Sequence, residues 1–189
     1  MQPRNHRLLR LFGRFRGDRR GVSAVEFALL APVMITLYMG CVEISDGVAA
    51  DRKVSLTAAA LANLAAQTTT ISTTGMTNIL NATSAIISPY DSSRLRITVS
   101  CLNIDGNQVA KVRWSETRNG TRRATGSTYT FDTSTSALDV ANTQLILAEA
   151  SFDYTPVVGT AFAGTITLTD RMFMSPRITT PDYNGTTCS

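Results

Sequence analysis

The chain has 189 residues, 43% hydrophobic and 17% charged, room for one ordinary domain beside a short segment. The net charge of +4 is split: residues 1–21 carry seven arginines and one aspartate, whereas residues 22–189 are slightly acidic. Basic charge confined to a leader excludes a nucleic-acid-binding domain, and a single histidine, His6, argues against histidine catalysis or metal binding.

In chain order, the Arg-rich residues 1–21 come first, a leader that suits anionic lipid or sets membrane topology. From Val22 to Val42 the chain is apolar or small for 21 residues, broken by Glu26, Ser23 and Thr36. About 20 residues at 1.5 Å rise cross a hydrocarbon core of roughly 30 Å, so one transmembrane helix is predicted. Helical character continues beyond it. Asp51, Arg52 and Lys53 mark exit into water, and Val54, Ala58, Leu61 and Ala65 then fall on one helical stripe. The predicted helix covers residues 22–66, about twice the membrane thickness, with half of it standing outside. Pro32 removes a backbone donor and predicts a bend near Ala28.

Residues 76–87 predict a short helix ended by Ser88-Pro89. Leu95, Ile97, Val99 and Cys101 alternate with polar residues. Asp105-Gly106-Asn107 is a turn signal, and Ala110, Val112 and Trp114 alternate with Val109, Lys111 and Arg113, so a hairpin is predicted. Residues 116–143 read as a polar loop with a weak strand at 129–131, in which Arg118, Arg122 and Arg123 form a small solvated basic patch. Two more strands are predicted at 145–154 and 165–174, with residues 161–164 leading into the second, and residues 180–189 read as loop. The fold class is α+β: a long N-terminal transmembrane helix, then a small antiparallel sheet domain over residues 67–189.

Three kinds of leader fit a basic stretch before an apolar run. A secretory signal peptide has an apolar core of about 7–15 residues and a nearby small-x-small cleavage site. Here the run is longer, and Ala60-Leu61-Ala62 lies too far away. A lipoprotein signal ending at Gly40-Cys41 would carry an aliphatic residue where Tyr38 stands. The third kind starts from Glu26. A carboxylate inside an apolar run is costly, less so near an end, where it snorkels to the interface. Its position is specific: counting from the residue after Gly21, Glu26 is fifth and Phe27 sixth.

Residues 17–33, from Gly17-Asp18-Arg19-Arg20-Gly21-Val22 through Glu26-Phe27 to Pro32-Val33, resemble the opening of the TadE/TadG-like pseudopilins of bacterial tight-adherence (Flp-type, type IVb) pilus systems. Glu43 and the Ala-rich helix after it fit the same pattern. Ala148-Glu149-Ala150-Ser151-Phe152-Asp153-Tyr154-Thr155-Pro156 and Met174-Ser175-Pro176-Arg177 are similar to that family's C-terminal strands. The resemblance implies that a membrane prepilin peptidase cuts between Gly21 and Val22, that the leader stays in the cytoplasm, and that the mature helix assembles with other pilins or pseudopilins and the pilus machinery.

Cleavage would expose the Val22 amine, largely cationic at neutral pH, one helical turn from Glu26. Glu26 would pair with the amine of a neighbouring helix and set register, since a wrong register leaves it unpaired. Gly40, Ala49, Ala50 and residues 58–60 would let helices approach closely. The expected location is the bacterial inner membrane, single pass, N-terminus cytoplasmic and C-terminal domain periplasmic, or else the extracellular pilus.

Of three cysteines, Cys41 lies in the helix as a small hydrophobe. Cys101 and Cys188 would share an oxidising compartment, where they form either a bridge closing a long loop or two separate thiols. No metal-site spacing, dinucleotide, phosphate-loop or hydrolase motif is present in the sequence. Asp91, Asp105, Glu116, Asp132 and Asp153 read as solvated carboxylates. A non-enzymatic assembly protein without cofactor is therefore expected; the alternative is an unprocessed single-pass periplasmic scaffold or adhesion module.

Overall fold

The computed structural model describes residues 20–157, 164–177 and 181–189. Most of the basic leader, the approach at 161–163 and Thr180 lie outside the described residues. The chain divides into two units at Ile44/Ser45.

Helix α1 spans Arg20–Gln67 and runs through Pro32 without a break in its assignment. The hydroxyl of Thr36 donates to the Pro32 carbonyl (2.8 Å). From Ala50 onward α1 presents a buried stripe: Val54, Ala58, Leu61 and Ala65 are each fully buried, joined by Ala50, Ala62 and Ala66. Alanine dominates because it lets the helix lie close to its neighbours without losing helix propensity. Thr57 is also fully buried, and its hydroxyl donates to the Lys53 carbonyl one turn back (2.7 Å), so no polar atom is stranded there.

After the two-residue strand β1 (Thr70–Ile71), helix α2 spans Thr73–Ser84. It begins a turn earlier than the periodicity of 76–87 predicts. Ser72 is its N-cap, the Ser72 hydroxyl accepting from the Gly75 amide (3.1 Å). Residues Ala85–Ile87 tighten into a 3-10 turn before Pro89.

Five strands make the main antiparallel sheet, in the order β4-β3-β2-β5-β6. They are β2 (Leu95–Ile104), β3 (Ala110–Arg118), β4 (Thr128–Tyr129), β5 (Thr143–Tyr154) and β6 (Ile166–Met174). Asp105 closes the β2–β3 connection by accepting from the Asn107 (2.8 Å) and Val109 (3.0 Å) amides. Those amide bonds hold its carboxyl below the usual carboxylate range.

Two apolar clusters form. Leu95, Ile97, Val99, Cys101, Trp114, Ile146, Ala148, Ala150 and Phe152 cluster with the buried stripe of α1. Leu102, Ile104, Ala110, Val112, Tyr129, Leu145 and Leu147 form a second cluster. The register corrects the expected alternation of β3. Cys101 pairs with Trp114 but Leu102 pairs with Val112, so Arg113 is an extra residue, a β-bulge. Side chains change face across a bulge. Trp114 therefore joins the helix-side cluster while Val112 and Ala110 join the other, although all three hold even positions in the sequence.

Residues 182–187, read as loop from sequence, form a hairpin of β7 (Asp182–Tyr183) and β8 (Thr186–Thr187), with β7 parallel to β1. Its turn is Asn184-Gly185, both with positive φ (49° and 80°), the pairing that two-residue hairpins favour.

Candidate functional site

The stretch of α1 that carries Gly21 and Glu26 has no apolar cover among the described residues. Phe27 is 73% exposed and Leu29 71%, and Val25, Leu30, Val33, Met34, Ile35, Leu37 and Tyr38 are all more than half exposed. Mean hydropathy reaches 1.9 over an 18-residue window. Charge is nearly absent here, and apolar side chains cover every side of the helix, the pattern of a helix that lies in hydrocarbon. α1 is thus compatible with a single-pass membrane anchor.

Gly21 and Val22 are exposed near the start of this helix. No described atom lies within 4 Å of a Cβ built on Gly21, so packing does not require glycine there. Glu26 is exposed one turn beyond Val22, among Leu29 and Leu30, and makes no ion pair with the described residues. Cys41 is exposed.

Two tyrosines hold the start of the second unit. The Tyr90 hydroxyl donates to Asp46 Oδ1 (2.7 Å) and to the Asp46 carbonyl (3.0 Å), and the Tyr154 hydroxyl donates to Asp46 Oδ2 (3.1 Å). Tyr90 also packs on Phe152, ring centroids 5.7 Å apart. Burial, then the bond to Asp46 and its charge, push the Tyr90 hydroxyl up to about 12. Sequence reasoning passed over Asp46. Its signal was an acid following a long apolar run, with tyrosines ending two later segments.

Cys101 and Cys188 form a disulfide, Cα atoms 5.9 Å apart, linking the centre of β2 to the tail. The tail is held elsewhere too. Trp114 Nε1 donates to the Pro181 carbonyl (3.3 Å), Asn103 donates to the Cys188 carbonyl (3.1 Å), and the Tyr183 hydroxyl donates to Glu116 (2.8 Å).

The expected solvated patch of arginines is corrected in part: Arg122 stays exposed, but each of the three has a partner. Arg118 ends β3 and donates to Asn81 Oδ1 (2.6 Å) and Ser84 Oγ (2.7 Å). Arg122 pairs with Glu116 (2.7 Å). Arg123 makes two bonds to Glu149 (2.9 and 2.7 Å) and lies over the Tyr129 ring, 5.1 Å from its centroid. Glu116 and Asp153 likewise depart from the solvated reading. Glu116 is buried, and Asp153 takes two bonds from Arg96 (2.6 and 2.8 Å). Arg96, helped by the Thr167 hydroxyl, holds the Asp153 carboxyl down to about 2. Tertiary packing brings Arg96 to Asp153 across 57 positions and Arg123 to Glu149 across 26, which local polarity cannot reveal.

Two solvent-open cavities lie on this domain. One, about 600 Å³, is lined by Arg96, Ser151, Glu149 and Arg171 among others. Its arginines are neutralised, Arg96 by Asp153 and Arg171 by Asp132. The other, about 500 Å³, lies between α2, the end of β3 and the tail hairpin.

Residues 21–63 match the family model described as TadE-like protein. That segment lies in the helix just described, from Gly21 to the buried stripe. Neither a curated protein nor a solved structure matches the chain.

Proposed function

With residues 21–63 TadE-like, we propose that the protein is a pseudopilin-like component of a tight-adherence pilus system, acting in assembly rather than catalysis. One observation carries the reading: within the matched segment, Glu26 stands five residues past Gly21 on a helix whose apolar side chains are uncovered. Two physical costs then have one remedy. Exposed apolar surface is removed from water by membrane or by other helices. A carboxylate in that setting calls for a cation, and a Val22 amine freed by cleavage supplies one on a neighbouring chain.

In this reading the peptidase cuts the Gly21–Val22 bond. Glycine serves there because a residue with no side chain lets the backbone extend into a protease cleft. The N-terminal side is cytoplasmic, following the arginines. The sheet domain lies in the periplasm, an oxidising compartment that sustains the Cys101–Cys188 bond. Other pilins or pseudopilins and the assembly machinery are the partners.

Intact mass measurement of protein purified from its own host tests the reading. A chain beginning at Val22 is expected. A mature chain still beginning at Met1 overturns processing and leaves an unprocessed periplasmic scaffold or adhesion module. Alkaline phosphatase fused after Ser189 should be active; an inactive fusion reverses the topology.

A further inference from the structure

We propose that the cavity between α2, the end of β3 and the tail hairpin binds a small acidic sugar, with Arg118 gripping its carboxylate. Three observations carry this. First, the charge in the cavity does not cancel. Glu116 is committed to Arg122 (2.7 Å) and to the Tyr183 hydroxyl (2.8 Å), whereas among the described residues Arg118 bonds only to the neutral Asn81 and Ser84. In the other cavity, by contrast, Arg96 and Arg171 each hold a carboxylate.

Second, Arg118 is set for bidentate binding. Both of its bonds come from Nη1, which leaves Nη2 and Nε in the fork geometry that matches a carboxylate. The two bonds also fix a side chain that would otherwise lose its freedom on binding. Third, the rest of the wall suits a polyol. Thr73, Thr77, Asn81 and Asn184 supply hydroxyls and amides, and Leu80 is the one aliphatic side chain of the larger kind among the lining residues. A volume of about 500 Å³ lies within the usual range for small-ligand pockets. Leu80 and the Tyr183 ring supply the apolar part of the wall, on which the C–H face of a sugar ring lies.

The site is independent of the pilus reading, since none of its residues lies in the TadE-like segment. Equilibrium dialysis of full-length protein in detergent against labelled glucuronate tests it, with glucose, acetate and inorganic phosphate as competitors. Saturable glucuronate binding is expected. Arg118→Gln should weaken it at least about tenfold, and Arg118→Lys, which keeps the charge but loses the fork, should fall between. Thr77→Val, at an exposed wall position, should weaken it without unfolding the domain. Absence of saturable binding overturns the proposal, as does binding unchanged in Arg118→Gln. Competition by acetate or phosphate as strong as that by unlabelled glucuronate overturns the sugar assignment. Should Arg118→Gln not fold, Thr77→Val decides: unchanged affinity there overturns the site.

Discussion

Helix α1 is one hydrogen-bonded element, yet its two stretches follow different rules. Up to Tyr38 its large apolar side chains are exposed all round. From Ala50 its buried positions are mostly alanine, with Val54 and Leu61 as the larger members, and they close on the first apolar cluster of the domain. In the proposed reading the first stretch draws its stability from membrane or from other helices. The second draws it from side chains of its own chain. A helix can serve two solvents because its backbone bonds are satisfied internally in either. Asp46, bonded to both Tyr90 and Tyr154, stands near the change.

Substitution of the same residue type in each stretch should separate the two most sharply. Leu61→Ala removes a fully buried side chain and should cost about 2–5 kcal/mol of domain stability. Leu30→Ala, at a site 63% exposed, should change it by less than about 0.5 kcal/mol. Denaturant unfolding in detergent, followed by Trp114 fluorescence, reads both. Equal losses would mean that the apolar stretch is part of the domain core.

A somewhat smaller loss, about 2–4 kcal/mol, is expected from Cys188→Ser, with Cys101→Ser similar and the double variant no worse than either. Additive losses would mean that the two side chains act through packing and not through their bond. The matching change in the other stretch, Cys41→Ser, should leave domain unfolding unaltered.

Tyr90→Phe should cost about 1 kcal/mol through the lost bonds to Asp46. It also has a pH signature. The Tyr90 hydroxyl titrates at about 12 in the folded protein and near 10 when unfolded. The folded state therefore holds its proton longer. The stability this contributes is present in full below about pH 10 and is lost as pH rises toward 12. Unfolding measured across that window should fall less steeply in Tyr90→Phe than in the parent; parallel slopes would remove Tyr90 from the account.

Glu26→Gln gives the smallest effect on the domain, within about 0.5 kcal/mol. Its effect belongs to association. If Glu26 sets register, co-purification with pilus components should fall while domain unfolding stays as in the parent; unaltered co-purification would sink that role.

Much of this was legible in the chain, for a physical reason. The apolar run of α1, its buried stripe and the alternation of β2 are local periodicities, and local periodicity records which side of an element meets water. The Gly21 and Glu26 spacing is equally local, and it falls within the TadE-like match. What stayed hidden depends on partners distant in sequence. The extra residue at Arg113 sends Trp114 and Val112 to opposite faces, because register is settled between strands and not within one. The arginines of the polar stretch find partners brought in by other elements: Arg122 and Arg123 pair with carboxylates, and Arg118 bonds to an amide and a hydroxyl. The tail lacks the apolar residues that announce a strand. Its partners come from elsewhere in the fold: β1 beside it, the bond to Cys101, Asn103, Glu116, and the bulge that turns Trp114 toward Pro181.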